Sequence, residues 1–245
     1  MKNSVSFNSD LSKFGIGLFE TIRIEKYPID LDLHMDRMFN SKKELNINIK
    51  YTKDFLKNEV LKYIDTNCIE NKALRLTVFD EGYNISIRDI PYNNKAYEKG
   101  FKLILSPIKR GDSIIYKHKT TNYYENIYSK KYANERGFDD GLFVDTYGNI
   151  LECSMSNIFF IKGNCVYTPS SNLPILNGTM KKRIFGICSE INIPLIEKNI
   201  KISEILDYDF VFVTNSLMKI MKVTQIEDVF YESSNVLFDK IASFI

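Results

Sequence analysis

Several residue types are scarce in this chain of 245 residues, and each shortage argues against a class of site. Cysteine occurs four times without a Cys-x-x-Cys pair, and the only histidines are His34 and His118. Zinc centres are built from clusters of these residues, so we expect no metal site. A disulfide framework is not expected either, because the opening residues MKNSVSFNSD lack the apolar core of a secretory signal.

Neither sign of charge dominates the chain, and long apolar runs are missing. The 33 basic and 31 acidic side chains leave a net charge of +2, which does not favour a nucleic-acid surface. No stretch approaches the roughly 18 apolar residues of a membrane-spanning helix. We therefore expect a cytoplasmic protein with neither nucleic acid nor a membrane as its partner. Arginine occurs only seven times, so a guanidinium fork for a phosphate or carboxylate must come from few positions.

The hydrophobic pattern of the first hundred residues mixes strands with helices. Alternating apolar and polar side chains predict a strand over 19–25, and helical spacing predicts helices over 32–45 and 52–66. Two further strands are predicted over 74–80 and 101–106. This part of the chain is therefore expected to form a mixed α/β domain.

Strands dominate the second half of the chain. A helix over 124–137, ended by Gly137, is followed by closely spaced strands that the hairpin turns TYGN and GN connect. A second helix is predicted over 179–191, a buried strand over 209–215 and a terminal helix over 234–245. These strands are expected to form a largely antiparallel sheet.

The complete pattern predicts an α/β (α+β) fold of two domains. We assign a small N-terminal α/β domain to residues 1–107, an interdomain crossing to 108–118 and a larger domain to 119–245.

Four lysines lie close together, at positions 117, 119, 130 and 131. A run of like charges is ordinarily a solvated face, which is the expected role of Lys117, Lys130 and Lys131. Lys119 differs, because small polar residues follow it and lead into a predicted helix, and sites are often built at such loops. An amine there is able to form a Schiff base with a carbonyl compound. The stretch alone leaves both interpretations open.

Two further charged residues have unusual sequence surroundings. Glu152 lies in the apolar strand ILECS, so it is either solvated or a buried carboxylate that a cation keeps charged. Arg37 lies on a half-apolar helix, so it is either an ion-paired surface residue or one of the few forks available to a phosphate. We interpret His34, one turn before Arg37, as structural.

Two polar turns offer hydrogen-bond donors. In LNGTMKKRIF, Gly178 precedes a predicted helix, so the N–H groups of Thr179 and Met180 face outward and suit an anion. In TNSLM, polar residues that include Ser216 follow a buried strand. They form either a simple turn or a second set of donors, and each motif alone is a weak signal.

Taken in order, five segments resemble one family, the fold-type IV pyridoxal-phosphate (PLP) enzymes, also called class IV aminotransferases. The segments are FGIGLFETIRI, LHMDRM, HKTTNYYENI, GNILECSMSNIFFIKGNCVYTP and ILNGTMKKRI. The resemblance implies a two-domain fold with a small N-terminal α/β domain and a mostly antiparallel pseudo-barrel sheet in the larger domain. It also implies a homodimer whose active site lies where the two domains meet.

The resemblance gives each candidate residue a role. Lys119 aligns with the catalytic lysine that holds the cofactor pyridoxal 5'-phosphate, and Glu152 aligns with the carboxylate that pairs with the ring nitrogen. A buried carboxylate favours the protonated nitrogen, which makes the ring an electron sink. The remaining cofactor-binding positions that it implies are Arg37, Thr179, Met180 and Ser216 at the phosphate and Tyr123 near the phenolic oxygen.

Within the family, the motifs at 152–153, 177–180 and 214–218 look most like those of the aminodeoxychorismate lyases. That similarity implies conversion of 4-amino-4-deoxychorismate to 4-aminobenzoate, a folate precursor, and pyruvate. A class IV aminotransferase acting on branched-chain or D-amino acids is the alternative. A non-catalytic scaffold that keeps the fold is the third possibility.

Overall fold

The computed structural model describes all 245 residues and separates them into two units. The first unit comprises Met1–Pro91 and His118–Tyr123, and the second comprises Tyr92–Lys117 and Tyr124–Ile245. None of the helices has the length and the hydropathy that crossing a lipid bilayer requires.

Three strands and three helices make up the first unit. They are α1 (Asp10–Phe14), β1 (Leu18–Ile24), α2 (Leu31–Glu44), α3 (Lys53–Thr66), β2 (Lys72–Phe79) and β3 (Gly82–Arg88). The strands form an antiparallel sheet in the order β1-β2-β3. The predicted strands β1 and β2 and the predicted helices α2 and α3 are confirmed, whereas α1 and β3 arise from segments without a predicted element.

One face of this sheet packs against α2 and α3. Ile22 of β1 and Leu74 of β2 are completely buried there, together with Met35 of α2 and Leu56 and Val60 of α3. Fully burying one such side chain contributes about 1.5–3 kcal/mol to the stability of the fold. The apolar residues of α2 and α3 recur at helical spacing because that spacing places them all on the helix face that packs against the sheet.

The segment that carries Lys119 returns to the first unit and lies along the open edge of β1. The Phe19 N–H donates to the Lys119 carbonyl (3.0 Å), and the Thr121 N–H donates to the Gly17 carbonyl (2.9 Å). Lys119 thereby groups with the first unit, whereas the predicted division starts the larger domain at this residue. The difference arises because these long-range backbone hydrogen bonds have no signature in the local sequence.

Nine strands and four α-helices make up the second unit. The strands are β4 (Phe101–Leu105), β5 (Asp140–Val144), β6 (Ile150–Cys153), β7 (Asn157–Lys162), β8 (Cys165–Pro169), β9 (Leu195–Lys198), β10 (Phe210–Asn215), β11 (Lys219–Ile226) and β12 (Val229–Phe230). The helices are α4 (Asn94–Lys99), α5 (Tyr124–Glu135), α6 (Thr179–Glu190) and α7 (Val236–Ala242), with short 3₁₀ helices at Ile114–Lys117 and Ile202–Asp207.

All nine strands belong to one mixed sheet. Its order is β6-β5-β4-β11-β10-β7-β8-β9, with β12 paired to β11. Most neighbours are antiparallel, but β4 is parallel to both β5 and β11, and β8 is parallel to β9. Because β4 lies between β5 and β11, it groups with the second unit, whereas the predicted boundary at 107 places it in the first domain. Its apolar pattern predicts a strand but does not specify the partner strands.

The sheet of the second unit curls on itself. β6 stands at one end of the strand order, yet residues 154–156 connect it directly to β7, five places along. Neighbouring strands are about 4.8 Å apart, so three residues are too few to cross a flat sheet of that width. The connection therefore requires the curled, barrel-like sheet, and it fixes the position of Glu152 at the end of β6.

The buried strand β10 contributes to a core on each of its faces. Val211 and Val213 point into one apolar cluster, and Phe210 and Phe212 point into another, which α6 and α7 cover. The Phe212 ring stacks on Phe159 of β7 with the ring centroids 4.9 Å apart. Burial on both faces explains why this strand is continuously apolar rather than alternating.

Gly141 in β5 marks a close approach between α5 and the sheet. A Cβ atom at this position would lie 2.1 Å from Ser129 Oγ and 2.9 Å from the Ser129 carbonyl oxygen of α5. Gly141→Ala is therefore expected to lower the free energy of unfolding by about 1–3 kcal/mol, the usual cost of overpacking. Urea unfolding followed by circular dichroism measures this loss.

A glycine on α6 provides the matched control. Gly186 is exposed, and a Cβ atom added there would meet nothing within 4 Å. Gly186→Ala is expected to raise the free energy of unfolding by about 0.5–1 kcal/mol, because glycine is unfavourable inside a helix. If Gly141→Ala is as stable as the parent protein, α5 does not pack closely on β5 at this position.

Candidate active site

Lys119 lies among aromatic rings in the first unit. Its Nζ is 4.5 Å from the ring centroid of Phe19 and 5.2 Å from that of Tyr123. The Tyr123 ring meets the Phe19 ring edge-on, with the centroids 5.1 Å apart. The structure therefore brings together two of the predicted site residues, Lys119 and Tyr123, around a phenylalanine for which the sequence analysis predicts no role.

A second cation shares the Phe19 ring. The Arg75 guanidinium carbon lies 3.7 Å from the Phe19 centroid, and Arg75 Nε donates to Thr77 Oγ1 (3.3 Å). Burial lowers the pKa of Arg75, but a guanidinium stays charged in proteins. Arg75 belongs to no motif of the sequence, but strand alternation places it with Phe19 and Thr21 on the sheet face opposite the core.

Arg37 is half of a buried ion pair. Its Nε and Nη2 donate to the Glu20 carboxylate at 2.9 Å and 2.5 Å, and His34 Nδ1 lies 2.6 Å from the same carboxylate. Arg37 is thus ion-paired, but it is buried rather than on the surface. His34 packs inside the unit with no hydrogen-bond partner at Nε2. Its structural role agrees with the sequence interpretation, and the phosphate role of Arg37 stays a prediction.

The charges of this cluster follow from its burial. Burial opposes ionisation of Glu20, yet Arg37 and His34 together hold the pKa of this carboxyl at about 2. Burial also lowers the pKa of His34, with Glu20 opposing the shift, so the imidazole is neutral at neutral pH. Arg37 is therefore the charged partner that keeps Glu20 ionised.

Glu152 is a buried, paired carboxylate in the second unit. It is 6% exposed, and Arg110 Nη1 donates to its Oε1 at 2.7 Å. The Leu176 N–H and Asn157 Nδ2 donate to its Oε2 at 3.1 Å and 3.3 Å. Of the two interpretations that the sequence left open, the solvated one is wrong and the buried, cation-paired one is confirmed.

Asn157 connects this carboxylate to the start of α6. Its Nδ2 also donates to the Leu176 carbonyl (2.8 Å), and a Cβ atom on Gly178 would lie 2.1 Å from Asn157 Oδ1. Gly178 is therefore needed for close approach, and it is the residue immediately before α6. Thr179 and Met180 form the first turn, but the Met180 side chain packs in the core, so only its backbone N–H is directed toward a ligand.

Lys181 anchors the loop that leads into α6. Its buried ammonium donates to the Pro169 carbonyl (3.0 Å), to Ser171 Oγ (3.1 Å) and to Glu197 Oε1 (2.9 Å). Burial lowers the pKa of Lys181, and its pairing with Glu197 partly offsets this. These three acceptors fix the loop, and with it the position of the helix N-terminus.

The end of β10 adds further polar groups. Asn215 Oδ1 accepts from the N–H groups of Leu217 and Met218 at 3.0 Å and 2.8 Å, which shapes the turn that carries Ser216. Thr214 pairs with Asn157 across the sheet, so the ends of β7 and β10 coincide. Asn157 therefore links the start of α6 both to Glu152 and to the end of β10, which Ser216 follows.

The chain is similar to known proteins along most of its length. A family model described as Amino-transferase class IV matches residues 17–226. The chain belongs to the class IV aminotransferase family. Aminodeoxychorismate lyase of Bacillus subtilis is 29% identical over 238 residues, which cover 91% of this chain and 81% of the relative. A probable branched-chain-amino-acid aminotransferase of Rickettsia conorii is 29% identical over 224 residues, which cover 84% of this chain and 74% of the relative.

Solved structures share the fold of this family member. A structure from Legionella pneumophila, provisionally assigned as a 4-amino-4-deoxychorismate lyase, has a TM-score of 0.90 at 25% identity and covers 100% of this chain and 95% of its own. The branched-chain amino acid aminotransferase of Escherichia coli has a TM-score of 0.90 at 21% identity, and the match covers 99% of this chain and 88% of that structure's chain. Another such aminotransferase, at 20% identity, was solved with pyridoxamine 5'-phosphate. The predicted fold-type IV architecture is confirmed, and the protein is a PLP-dependent enzyme, either a lyase or an aminotransferase.

The polar groups of the second unit fit PLP. No side chain caps the start of α6 at Gly178, so helix-terminal N–H groups are left for a phosphate. Thr214 Oγ1, on the strand residue that pairs with Asn157, is buried without a hydrogen-bond partner. Buried hydroxyls are seldom left unsatisfied, which is consistent with a ligand that completes them. The Glu152 carboxylate, paired with Arg110, supplies an acceptor for a protonated ring nitrogen.

The buried Glu20 predicts a specific pH dependence of stability. Its pKa in the folded state, about 2, is below the ordinary value of 4.5, so its contribution is present above about pH 4.5 and is lost as the pH falls toward 2. Glu20→Gln is expected to lower the free energy of unfolding by about 3 kcal/mol at pH 7. Urea unfolding between pH 7 and pH 3 measures how this difference shrinks.

Asp36→Asn on the same helix is the control for this measurement. Asp36 is exposed and pairs with Lys53, so its replacement is expected to change stability little at any pH. A Glu20→Gln penalty that stays constant from pH 7 to pH 3 would contradict the assigned ionisation of the cluster.

Proposed function

We propose that this family member is an aminodeoxychorismate lyase, which converts 4-amino-4-deoxychorismate to 4-aminobenzoate and pyruvate. The observation that carries the proposal is the similarity to the Bacillus subtilis lyase over 91% of this chain. The motifs at 152–153, 177–180 and 214–218 resemble those of lyases within the family. We also expect a cytoplasmic homodimer, as the family resemblance implies.

In this proposal Lys119 has two tasks. It holds the cofactor covalently before the substrate amine arrives, and it then removes the proton from the substrate carbon that bears the amine. Bound PLP supplies an electron sink for the negative charge that develops at that carbon. The aromatic rings of Phe19 and Tyr123 lie beside the amine of Lys119.

The remaining residues bind and orient the cofactor. Glu152 accepts a hydrogen bond from the protonated ring nitrogen and so favours its charged form. The N–H groups of Thr179 and Met180, the Ser216 hydroxyl and the Arg37 guanidinium share the charge of the phosphate. We propose Tyr123 as the residue near the phenolic oxygen.

Arg75 suits the substrate rather than the cofactor. 4-Amino-4-deoxychorismate carries two carboxylates, and the Arg75 guanidinium lies over the same Phe19 ring as the amine of Lys119. A guanidinium fork binds a carboxylate with two parallel hydrogen bonds. We therefore propose Arg75 as a cation that orients the substrate toward Lys119.

A class IV aminotransferase acting on branched-chain or D-amino acids is the second candidate. It is supported by the aminotransferase of Rickettsia conorii at 29% identity and by a D-alanine aminotransferase of Bacillus licheniformis at 25% identity. Both activities begin with the same proton removal. The lyase then expels enolpyruvate and forms an aromatic ring, whereas the aminotransferase needs a keto acid to complete its cycle.

The deciding experiment supplies 4-amino-4-deoxychorismate to the PLP-loaded protein without any keto acid. A lyase is expected to release pyruvate and 4-aminobenzoate in equal amounts over many turnovers, which coupled lactate dehydrogenase and fluorescence assays measure. An aminotransferase would stop after one half-turnover and resume when a keto acid is added. A non-catalytic scaffold would give neither product, and the purified protein would have no visible absorption band that borohydride removes.

Lys119→Ala is expected to abolish turnover, because no other amine replaces the covalent attachment and the base. The borohydride-sensitive absorption band measures covalent attachment of the cofactor, and steady-state pyruvate release measures turnover, which also needs the base. Lys131→Ala is the matched control, since Lys131 is exposed and pairs with Glu135 on the surface of α5. Near-normal turnover in Lys119→Ala would refute the assignment of this lysine.

A further inference from the structure

Arg110 is a buried cation that the proposed chemistry leaves without a task. Its position in the segment KRGD, which joins β4 to a short 3₁₀ helix, is typical of a solvated surface residue. The side chain is nevertheless buried, since Arg110 is 1% exposed. Its backbone N–H donates to the Val144 carbonyl (3.0 Å), so the segment continues along the edge of β5 and the side chain is directed inward. A buried charge is costly unless a partner compensates it.

The compensating partner is Glu152. Arg110 Nη1 lies 2.7 Å from Glu152 Oε1, and Nη2 donates to Asn126 Oδ1 at 3.4 Å. The other carboxylate in range is that of Glu125, but its buried Oε2 lies 3.9 Å from Nε, beyond hydrogen-bond distance. Arg110 therefore directs its charge at the one carboxylate that the proposed function places at the ring nitrogen.

Aromatic rings hold the guanidinium in this orientation. The Arg110 guanidinium carbon lies 3.7 Å from the ring centroid of Phe143 and 4.6 Å from that of Tyr116. Phe143 is completely buried, and both contacts exclude water from the ion pair. A lower local dielectric strengthens the attraction between the guanidinium and the carboxylate.

The orientation of Glu152 does not depend on Arg110 alone. The Leu176 N–H and Asn157 Nδ2 hold the other oxygen of the carboxylate, and both donors are neutral. Removing the guanidinium would leave these two hydrogen bonds in place but would remove the positive charge. The effect of the charge can therefore be separated from the effect of position.

We propose that Arg110 is a positioning residue that keeps Glu152 a carboxylate and a weak base, so that the proton between Glu152 and the PLP ring nitrogen stays on nitrogen. A cation beside a carboxylate stabilises its ionised form. Without that cation, a buried carboxyl group competes better for the proton, and the ring loses the charge that makes it an electron sink. This inference rests on the role proposed for Glu152, and it holds for a lyase and for an aminotransferase.

The test replaces the charge while keeping the packing. Arg110→Met retains an unbranched chain between Phe143 and Tyr116 but carries no charge. The protein is loaded with PLP that is ¹⁵N-labelled at the ring nitrogen, and the ¹⁵N chemical shift reports protonation directly. In the parent protein the nitrogen is expected to be protonated at pH 7.5, and in Arg110→Met it is expected to be unprotonated, with turnover lowered about 100-fold.

Lys109→Met is the matched control, because Lys109 is the exposed neighbour of Arg110 in the same segment. It is expected to leave both the ¹⁵N shift and turnover at the parental values. A double variant with Glu152→Gln supplies a second check, since Arg110→Met is expected to cost little more once the carboxylate is gone. Additive losses in the double variant would overturn the proposal.

Arg110→Lys covers the case in which the methionine variant does not fold. It keeps the charge without the planar fork, so the ring nitrogen is expected to stay protonated and turnover to fall less than about tenfold. A protonated nitrogen in Arg110→Met, or an unprotonated one in Arg110→Lys, would overturn the proposal. The ¹⁵N measurement needs bound PLP but no lyase turnover, so failure of the lyase assay and failure of this inference are distinguishable.

Discussion

The second unit is organised around one buried ion pair, between the Arg110 guanidinium and the Glu152 carboxylate. A pair of opposite charges removed from water is stable only when its geometry is good and its remaining hydrogen-bonding capacity is satisfied. Here Asn157 and the Leu176 N–H complete the carboxylate. Because Leu176 stands shortly before α6, the same interaction also positions the helix start, where we propose that the phosphate binds.

The first unit contains a second buried ion pair between an arginine and a glutamate. Arg37 and Glu20 join α2 to β1, and a neutral His34 lies against the carboxylate. Two of the seven arginines are therefore paired with buried carboxylates, and a third, Arg75, is stacked on Phe19. In a chain with so few guanidinium groups this distribution is informative, since these three have buried or aromatic surroundings rather than solvent.

Sequence reasoning was most accurate where local physics decides the outcome. The strand β1 and the helices α2 and α3 follow from the spacing of their apolar residues, and the buried strand β10 follows from its continuous apolar run. Gly137 ends α5 with a positive φ of 77°. The turn between β7 and β8 falls at Gly163, as hairpin chemistry predicts. The order of the family motifs was sufficient to indicate the fold class and the cofactor, since it restricts many positions at once.

Long-range contacts explain what the sequence did not reveal. Nothing in KRGD distinguishes a solvated arginine from one enclosed by Phe143 and Tyr116, because the enclosing rings come from elsewhere in the chain. The strand pattern of residues 101–106 does not state that β5 and β11 are its partners. The segment of Lys119 joins the edge of β1 through backbone hydrogen bonds that any residue type is able to make.

The sequence by itself determined the types of the main elements, the family and the candidate reagents, above all Lys119 and Glu152. These depend on residue identity and on short-range spacing. Only the tertiary structure decided what surrounds these side chains. It provides the Arg110 charge beside Glu152, the aromatic rings around Lys119 and the close approach of Gly178 to Asn157. The physical reason is that burial and electrostatic pairing depend on which distant segments meet, and this is a property of the folded chain.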